Sequence, residues 1–199
     1  IALLAGGDRA LRESVEGAED DRDQGARDLE AVQVAPFDFI VGIAASGGTP
    51  YVLGVLDKAR SAGAKTALVT SNPNASAIVD ILIAVDTGPE VLTGSTRLKA
   101  GSAAKLVLNM ISTGAMAKAG YVYHGRMVNM TPVNGKLHQR AQRIVAERAE
   151  CTEEDAFRLL SSCGYHISEA ILMAKRGMSA EEAAECLKQH QGLLRKALE

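Results

Sequence analysis

The sequence predicts an α/β fold, a parallel sheet flanked by helices, followed by a small all-helical bundle. Three observations predict it. Short apolar runs recur at residues 1–5, 37–43, 66–70 and 81–85, helical stretches separate them, and from Gly135 onward only helix signals remain. Such an alternation favours parallel strands with right-handed crossovers, whose ligands sit beyond the carboxyl ends of the strands. With 199 residues the chain has room for one domain with a substantial core, residues 1–133, and a bundle, residues 134–199.

Residues 1–5 read as a buried strand closed by Gly6 and Gly7, and Asp8 as the cap of a helix running to about residue 15. The acidic run Glu16, Glu19, Asp20, Asp21, Asp23 reads as a solvated face before a helix at 26–32. Residues 37–43 form the clearest strand, apolar nearly throughout, as strands covered on both faces are. In Ser46-Gly47-Gly48-Thr49-Pro50 the proline suits a first helical position, so Thr49 is the N-cap of a helix at 51–61 that Gly63 terminates. A strand at 66–70, a turn at Ser71-Asn72-Pro73-Asn74, a short helix at 76–79 and a strand at 81–85 follow. The longest helix, 98–118, carries Leu98, Leu106, Val107, Met110, Ile111 and Met116 among alanines, which predicts a buried central helix. Gly120 ends it, and 121–133 reads as irregular, with Pro132 arguing against helix.

In the tail, Leu137, Ala141, Ile144 and Val145 mark one helix, Thr152 with Asp155 opens a second, and Ser168 begins a third. Ser179 with Glu182 makes a capping box for a fourth, and Gly164, Gly177 and Gly192 separate the helices. Gly164-Tyr165 and Ala170-Ile171-Leu172-Met173 fit either a protein-binding three-helix module or a bundle packed on the sheet or on a dimer partner.

Composition excludes several classes. Hydrophobic residues make up 47%, charged residues 23%, and the net charge is -2, which gives no electrostatic reason to expect nucleic acid. Tryptophan is absent and aromatics are few, so no base-stacking platform is expected. Lys105, Asn109 and Lys118 interrupt the longest apolar stretch, and neither a membrane span nor a charged-then-apolar leader is expected. Cys151, Cys163 and Cys186, odd in number and far apart, suit reduced thiols in a cytoplasm. His124, His138, His166 and His190 lack metal-ligand spacing, so no metal or cofactor is expected. The chain starts at Ile1 on an apolar run without an initiator methionine, which reads as the remainder of a longer protein.

Residues 88–105 stand where a strand hands over to the long helix. A helix N-terminus offers unpaired N–H groups and the positive dipole end, and Thr93, Gly94, Ser95 and Thr96 add hydroxyls and close backbone approach. An anion site and an ordinary capped helix are both compatible with this pattern. The Ser46 turn falls on the same sheet edge, so Ser46, Gly47 and Thr49 with Ser95 and Thr96 are candidate contacts for a sugar monophosphate. The Walker pattern and Gly-x-Gly-x-x-Gly are both missing. Sugar chemistry without a metal needs a carboxylate to take a weakly acidic C–H proton and another acid to protonate the leaving oxygen, and Glu19 and Glu90 are the candidates, with exposed or capping carboxylates as the alternative.

Gly88-Pro89-Glu90-Val91-Leu92-Thr93-Gly94-Ser95-Thr96-Arg97-Leu98-Lys99, with Ser102 and Lys105, resembles the signature shared by N-acetylmuramic acid 6-phosphate etherases and the glucokinase regulatory protein. Ala5-Gly6-Gly7, Val15-Glu16-Gly17-Ala18-Glu19-Asp20, Val41-Gly42-Ile43-Ala44-Ala45-Ser46-Gly47, Thr49-Pro50-Tyr51, Ser71-Asn72-Pro73 and 106–114 extend it over nearly the whole chain. The resemblance implies a sugar isomerase (SIS) domain, a three-layer α/β sandwich, with Glu19 as general base and Glu90 and Lys99 among the substrate contacts. It implies elimination of D-lactate from C3 after C2 deprotonation, then hydration to N-acetylglucosamine 6-phosphate. It further implies a cytoplasmic homodimer that recycles cell-wall amino sugars. In that family the general acid and a first Thr-Ser-Gly-Arg phosphate loop precede the region where this chain begins, so the chain alone is expected to be a poor etherase. Gly48, Asn129 and Gly135 stand where the family usually has Arg, Asp and Glu. A non-catalytic phosphosugar regulator and a phosphosugar isomerase share the fold and remain alternatives.

Overall fold

Strands β1 (Phe39–Ile43), β2 (Lys65–Thr70) and β3 (Ile81–Ala84) pair in parallel in that order. They belong to a computed structural model that describes residues 1–199, in two units, Ile1–Asn109 and Met110–Glu199. Gly42 stands beside Leu68, and Leu68 beside Leu82. The central strand β2 is buried from Thr66 to Thr70, as its unbroken Thr-Ala-Leu-Val-Thr run requires. β1 is an edge strand, and the expectation that it is covered on both faces fails. Phe39 remains 51% exposed, whereas Ile40, Gly42 and Ala44 lie under helix α2 (Pro50–Ser61). A side chain at Gly42 would strike Val52 and Leu56, so glycine there lets α2 lie close on the sheet.

Helix α1 (Arg22–Ala31) starts four residues before the predicted 26, because Asp21 caps it by accepting from the Gln24 N–H at 2.8 Å. It crosses α2 through two glycines. A Cβ on Gly25 would overlap the Tyr51 carbonyl oxygen, and one on Gly54 would overlap that of Arg22. Leu29, Tyr51, Val55, Ala59 and Ala64 fill the core beneath.

Residues 1–5 are not a strand. Leu3 and Ala5 pack on that same core, so their apolar character serves packing rather than pairing. The helix predicted from Asp8 is a five-residue 3-10 turn, Gly7–Leu11, entered through Gly6 at φ +83° without a side-chain cap. Leu11 is 73% exposed, and without an apolar face to bury a short helix is not sustained.

The predicted helix at 76–79 is extended chain in which Ala75, Ala77 and Val79 point inward against Ala44, Leu56 and Leu68. Asp80 holds this segment straight. Its Oδ2 accepts from the Thr66 N–H (2.9 Å) and hydroxyl (3.0 Å), and its Oδ1 pairs with Lys65 Nζ at 2.7 Å. These bonds, Lys65 first, bring its carboxyl down from 3.8 to about 2. A depressed carboxylate stabilises the fold above its unfolded pKa and loses that contribution as pH falls through the folded value. Asp80→Asn is therefore expected to lower the urea midpoint at neutral pH and to flatten its decline between pH about 4 and 2. Equal pH slopes for both proteins would contradict this.

Helix α3 (Lys99–Lys118) begins and ends as predicted to within a residue, yet it is not a buried central helix. Only Ala100 and Val107 are buried, and Met110 is 66% exposed. Small residues, Ala100, Gly101, Ala103 and Ala104, face Ile43, Val69 and Val85 of the sheet side, which leaves Leu106 and Met110 outward. Within residues 1–109 the layers are therefore α1 and α2, the sheet, and the first half of α3.

In the second unit, β4 (Val122–Tyr123) and β5 (Arg126–Met127) form an antiparallel hairpin where irregular chain was expected. His124 at φ +43° and Gly125 at φ +74° make the two-residue turn with both central residues left-handed that hairpins favour. Helices α4 (Gly135–Ala149), α5 (Glu153–Ser162), α6 (Ile167–Arg176), α7 (Ala180–Gln189) and α8 (Leu194–Leu198) enclose a core of Val145, Leu160, Ile171, Leu172, Leu194 and their neighbours. That core reaches back to Val128. Thr152 and the Ser179–Glu182 box cap α5 and α7 as read from sequence. Ser168 does not cap α6. It lies inside that helix and donates to the Val128 carbonyl at 3.2 Å, and α8 was not anticipated.

Candidate functional site

The turn after β1 is held from below by β2. Thr70 Oγ1 donates to the Ala45 carbonyl (3.0 Å) and accepts from the Asn72 N–H (3.1 Å), while Asn72 Nδ2 donates to the Ser46 carbonyl (2.9 Å). Gly47 is buried at φ +77°, and a Cβ there would lie 2.5 Å from that of Ala75. Only glycine fits. Ser46 and Gly48 are exposed above it, and Ser46 Oγ accepts from the Gly48 N–H at 3.2 Å. Thr49 caps α2 without a side-chain hydrogen bond and Pro50 brings no N–H, so this helix end has no internal anion. Thr70 and Asn72 are not among the site candidates read from the sequence, where the available signs are a threonine closing an aliphatic strand and the place of Asn72 in the Ser71-Asn72-Pro73 turn.

The loop after β3 leaves the same edge, since the strands are parallel, but its helix end is already occupied. Glu90 Oε2 accepts from the Lys99 N–H and Oε1 from the Ala100 N–H, both at 3.0 Å. The Gly101 N–H goes to the Thr96 carbonyl (2.9 Å) and that of Ser102 to Leu98 (3.0 Å). Of the two readings of residues 88–105, the structure takes the capped helix, and its cap is a carboxylate nine residues back. The Ala100 and Lys99 amides hold the Glu90 carboxyl below its usual range. Ser95 is half-buried, Thr96 and Lys99 are exposed, and Lys99 Nζ lies near Gly88.

A cavity of about 200 Å³ lies at this edge, lined by Ile43, Ala45, Val69, Thr70, Ser71, Val85, Thr96 and the small face of α3. Thr96 is the one sequence candidate on its wall. Ligand pockets run roughly 300–1,000 Å³, so this mostly apolar space is too small for a hexose phosphate, and the exposed rim above it is the candidate site. Glu19 sits in a 3-10 turn, Ala18–Asp20, entered through Gly17 at φ +74°, against α2. Its carboxylate is exposed and takes part in no hydrogen bond or ion pair. No three His, Cys, Asp or Glu side chains converge as a metal site requires.

Gly48 has open space where a Cβ would stand. Gly48→Arg is therefore expected to fit and, with a guanidinium beside the Ser46 turn, to tighten inorganic phosphate binding by about tenfold, the value of one charge-assisted bond. Calorimetric titration checks this, and unchanged affinity in a folded variant would count against the turn as the phosphate site.

Loops rich in small and hydroxylated residues, gathered at the carboxyl edge of a layered parallel sheet, define an SIS-type α/β protein. A family model described as the glucokinase regulatory protein N-terminal SIS domain matches residues 1–60. An N-acetylmuramic acid 6-phosphate etherase of Aliivibrio fischeri (strain MJ11) is 47% identical over 200 aligned residues, covering all of this chain and 67% of the relative. The etherase of the same name from Yersinia pestis (strain Pestoides F) is 48% identical, with all of this chain and 68% of the relative covered. The chain belongs to the N-acetylmuramic acid 6-phosphate etherase family. No helix is long and apolar enough to cross a membrane.

Proposed function

We propose that this chain is a carbon–oxygen lyase that cleaves the D-lactyl ether of N-acetylmuramic acid 6-phosphate. The observation that carries the reading is 47–48% identity along the entire chain to proteins named for that activity. Glu19 takes the weakly acidic proton at C2, and the electron pair left behind forms the C2–C3 double bond and expels the C3 oxygen, which takes a proton from an acid or from water as D-lactate leaves. Water then adds across the double bond, hydroxyl to C3 and proton to C2, to give N-acetylglucosamine 6-phosphate. An unpaired, exposed carboxylate supports that role, because nothing competes for its lone pairs. Ser46, Gly47 and Thr49 take the phosphate at the end of α2, which no side-chain hydrogen bond closes, and Ser95, Thr96 and Lys99 take sugar hydroxyls. Domain 1–133 carries the site, no cofactor takes part, and the setting is amino-sugar recycling in a cytoplasm.

D-lactate in step with N-acetylglucosamine 6-phosphate, released slowly by this chain, is the expected result from N-acetylmuramic acid 6-phosphate. Aldose–ketose interconversion without lactate would make the protein an isomerase. A non-catalytic regulator is the second reading, favoured by Gly48 in place of an arginine and by the match of residues 1–60, and it would bind sugar phosphate without releasing lactate. A homodimer is part of the proposal, since Leu106, Met110 and Met116 stand in solvent on α3 and apolar surface of that kind marks an interface. Sedimentation at twice the mass of one chain is expected, and a monomer at high concentration would contradict it.

A further inference from the structure

Two helix ends meet this edge of the sheet, and they differ in one respect. The end of α2 has no side-chain cap, whereas the leading amides of α3 are held by Glu90, one carboxylate oxygen to each. Two adjacent N–H groups receiving two oxygens of one anion is the arrangement a phosphate would adopt there. Glu90 is tethered to those amides by a short loop, and a tethered group acts at an effective concentration of order millimolar or above. Free phosphate must displace it to reach those amides. Lys99 Nζ, near Gly88, offsets the carboxylate charge, and the Gly101 and Ser102 amides already have backbone acceptors.

We infer that Glu90 is a positioning residue. Its carboxylate closes the α3 end to phosphate and ties down the loop of residues 91–98, so that a phosphosugar lies one way round, phosphate at α2 and hydroxyls at Ser95 and Thr96. This rests on the phosphosugar reading above, while its first test does not need turnover.

Amide shifts of the isotopically labelled 199-residue chain, titrated with inorganic phosphate, read it directly. In the wild type the Lys99 and Ala100 amides are expected to stay still. In Glu90→Ala both are expected to acquire a saturable phosphate-dependent shift, and in Glu90→Gln, whose amide keeps one carbonyl acceptor, a smaller one. Phosphate-dependent shifts at Lys99 and Ala100 in the wild type, or none in either variant, would overturn the inference. Kinetics supply a second readout. Glu90→Ala is expected to raise KM for N-acetylmuramic acid 6-phosphate about tenfold with kcat within threefold, because a loosened loop must be ordered on binding. Loss confined to kcat would contradict the positioning role. Absence of lactate from every variant would sink the etherase reading and leave the amide result standing by itself.

Discussion

Replacing Glu19 with glutamine is expected to lower D-lactate release by about 10²–10⁴-fold, the range that positioned general bases contribute. Glutamine keeps the shape of the side chain and removes the lone-pair basicity. Glu19 makes no hydrogen bond or ion pair, and its turn is set by Gly17 at φ +74°, so the substitution leaves the fold without a lost contact. The thermal midpoint and the affinity for sugar phosphate are expected to stay as in the wild type. A Glu19→Gln protein within a few-fold of wild-type turnover would remove Glu19 from the mechanism.

The largest stability effect is expected at Gly54. A methyl group there would overlap the Arg22 carbonyl oxygen, and backbone cannot move aside as a flexible side chain can, so α1 and α2 must separate. Overpacking of this kind costs about 3 kcal/mol. Alanine would also gain about 1 kcal/mol of intrinsic helix preference over glycine, so the net loss is about 2 kcal/mol. For a unit of this size that is a fall of roughly 8–16 °C in Tm. Gly114→Ala is the control. Nothing of its own chain stands within 4 Å of a Cβ at Gly114, so in the monomer the helix preference acts alone and the unit is expected to be stabilised. A neutral Gly54→Ala, followed by calorimetry beside Gly114→Ala, would show that the crossing is not as close as described.

Features that depend on a few neighbouring residues were legible. Thr49-Pro50 opens α2, Thr152 and the Ser179–Glu182 box open α5 and α7, and the apolar run at 66–70 is the central strand. Features set by distant partners were not. Residues 76–79 have a composition that permits helix, but Asp80 bonds to Thr66, fourteen positions earlier, and the chain is drawn straight. Glu90 was a candidate ligand, and its reach to the Lys99 and Ala100 amides across the loop turns it into a cap. Gly25 and Gly54 carry no signature of a helix crossing, because what matters is the carbonyl each one meets. The apolar side chains of α3 and the run 1–5 were read as buried in a helix and a strand. Hydrophobicity states that a residue prefers an apolar neighbour and leaves open which surface provides it.

Running the reaction in deuterated water tests the proposed chemistry most directly. If Glu19 takes the C2 proton before the lactyl oxygen leaves, the N-acetylglucosamine 6-phosphate formed will carry one solvent deuterium at C2, in step with D-lactate. Lactate released with the original C2 proton still in the product would contradict the elimination and the role assigned to Glu19.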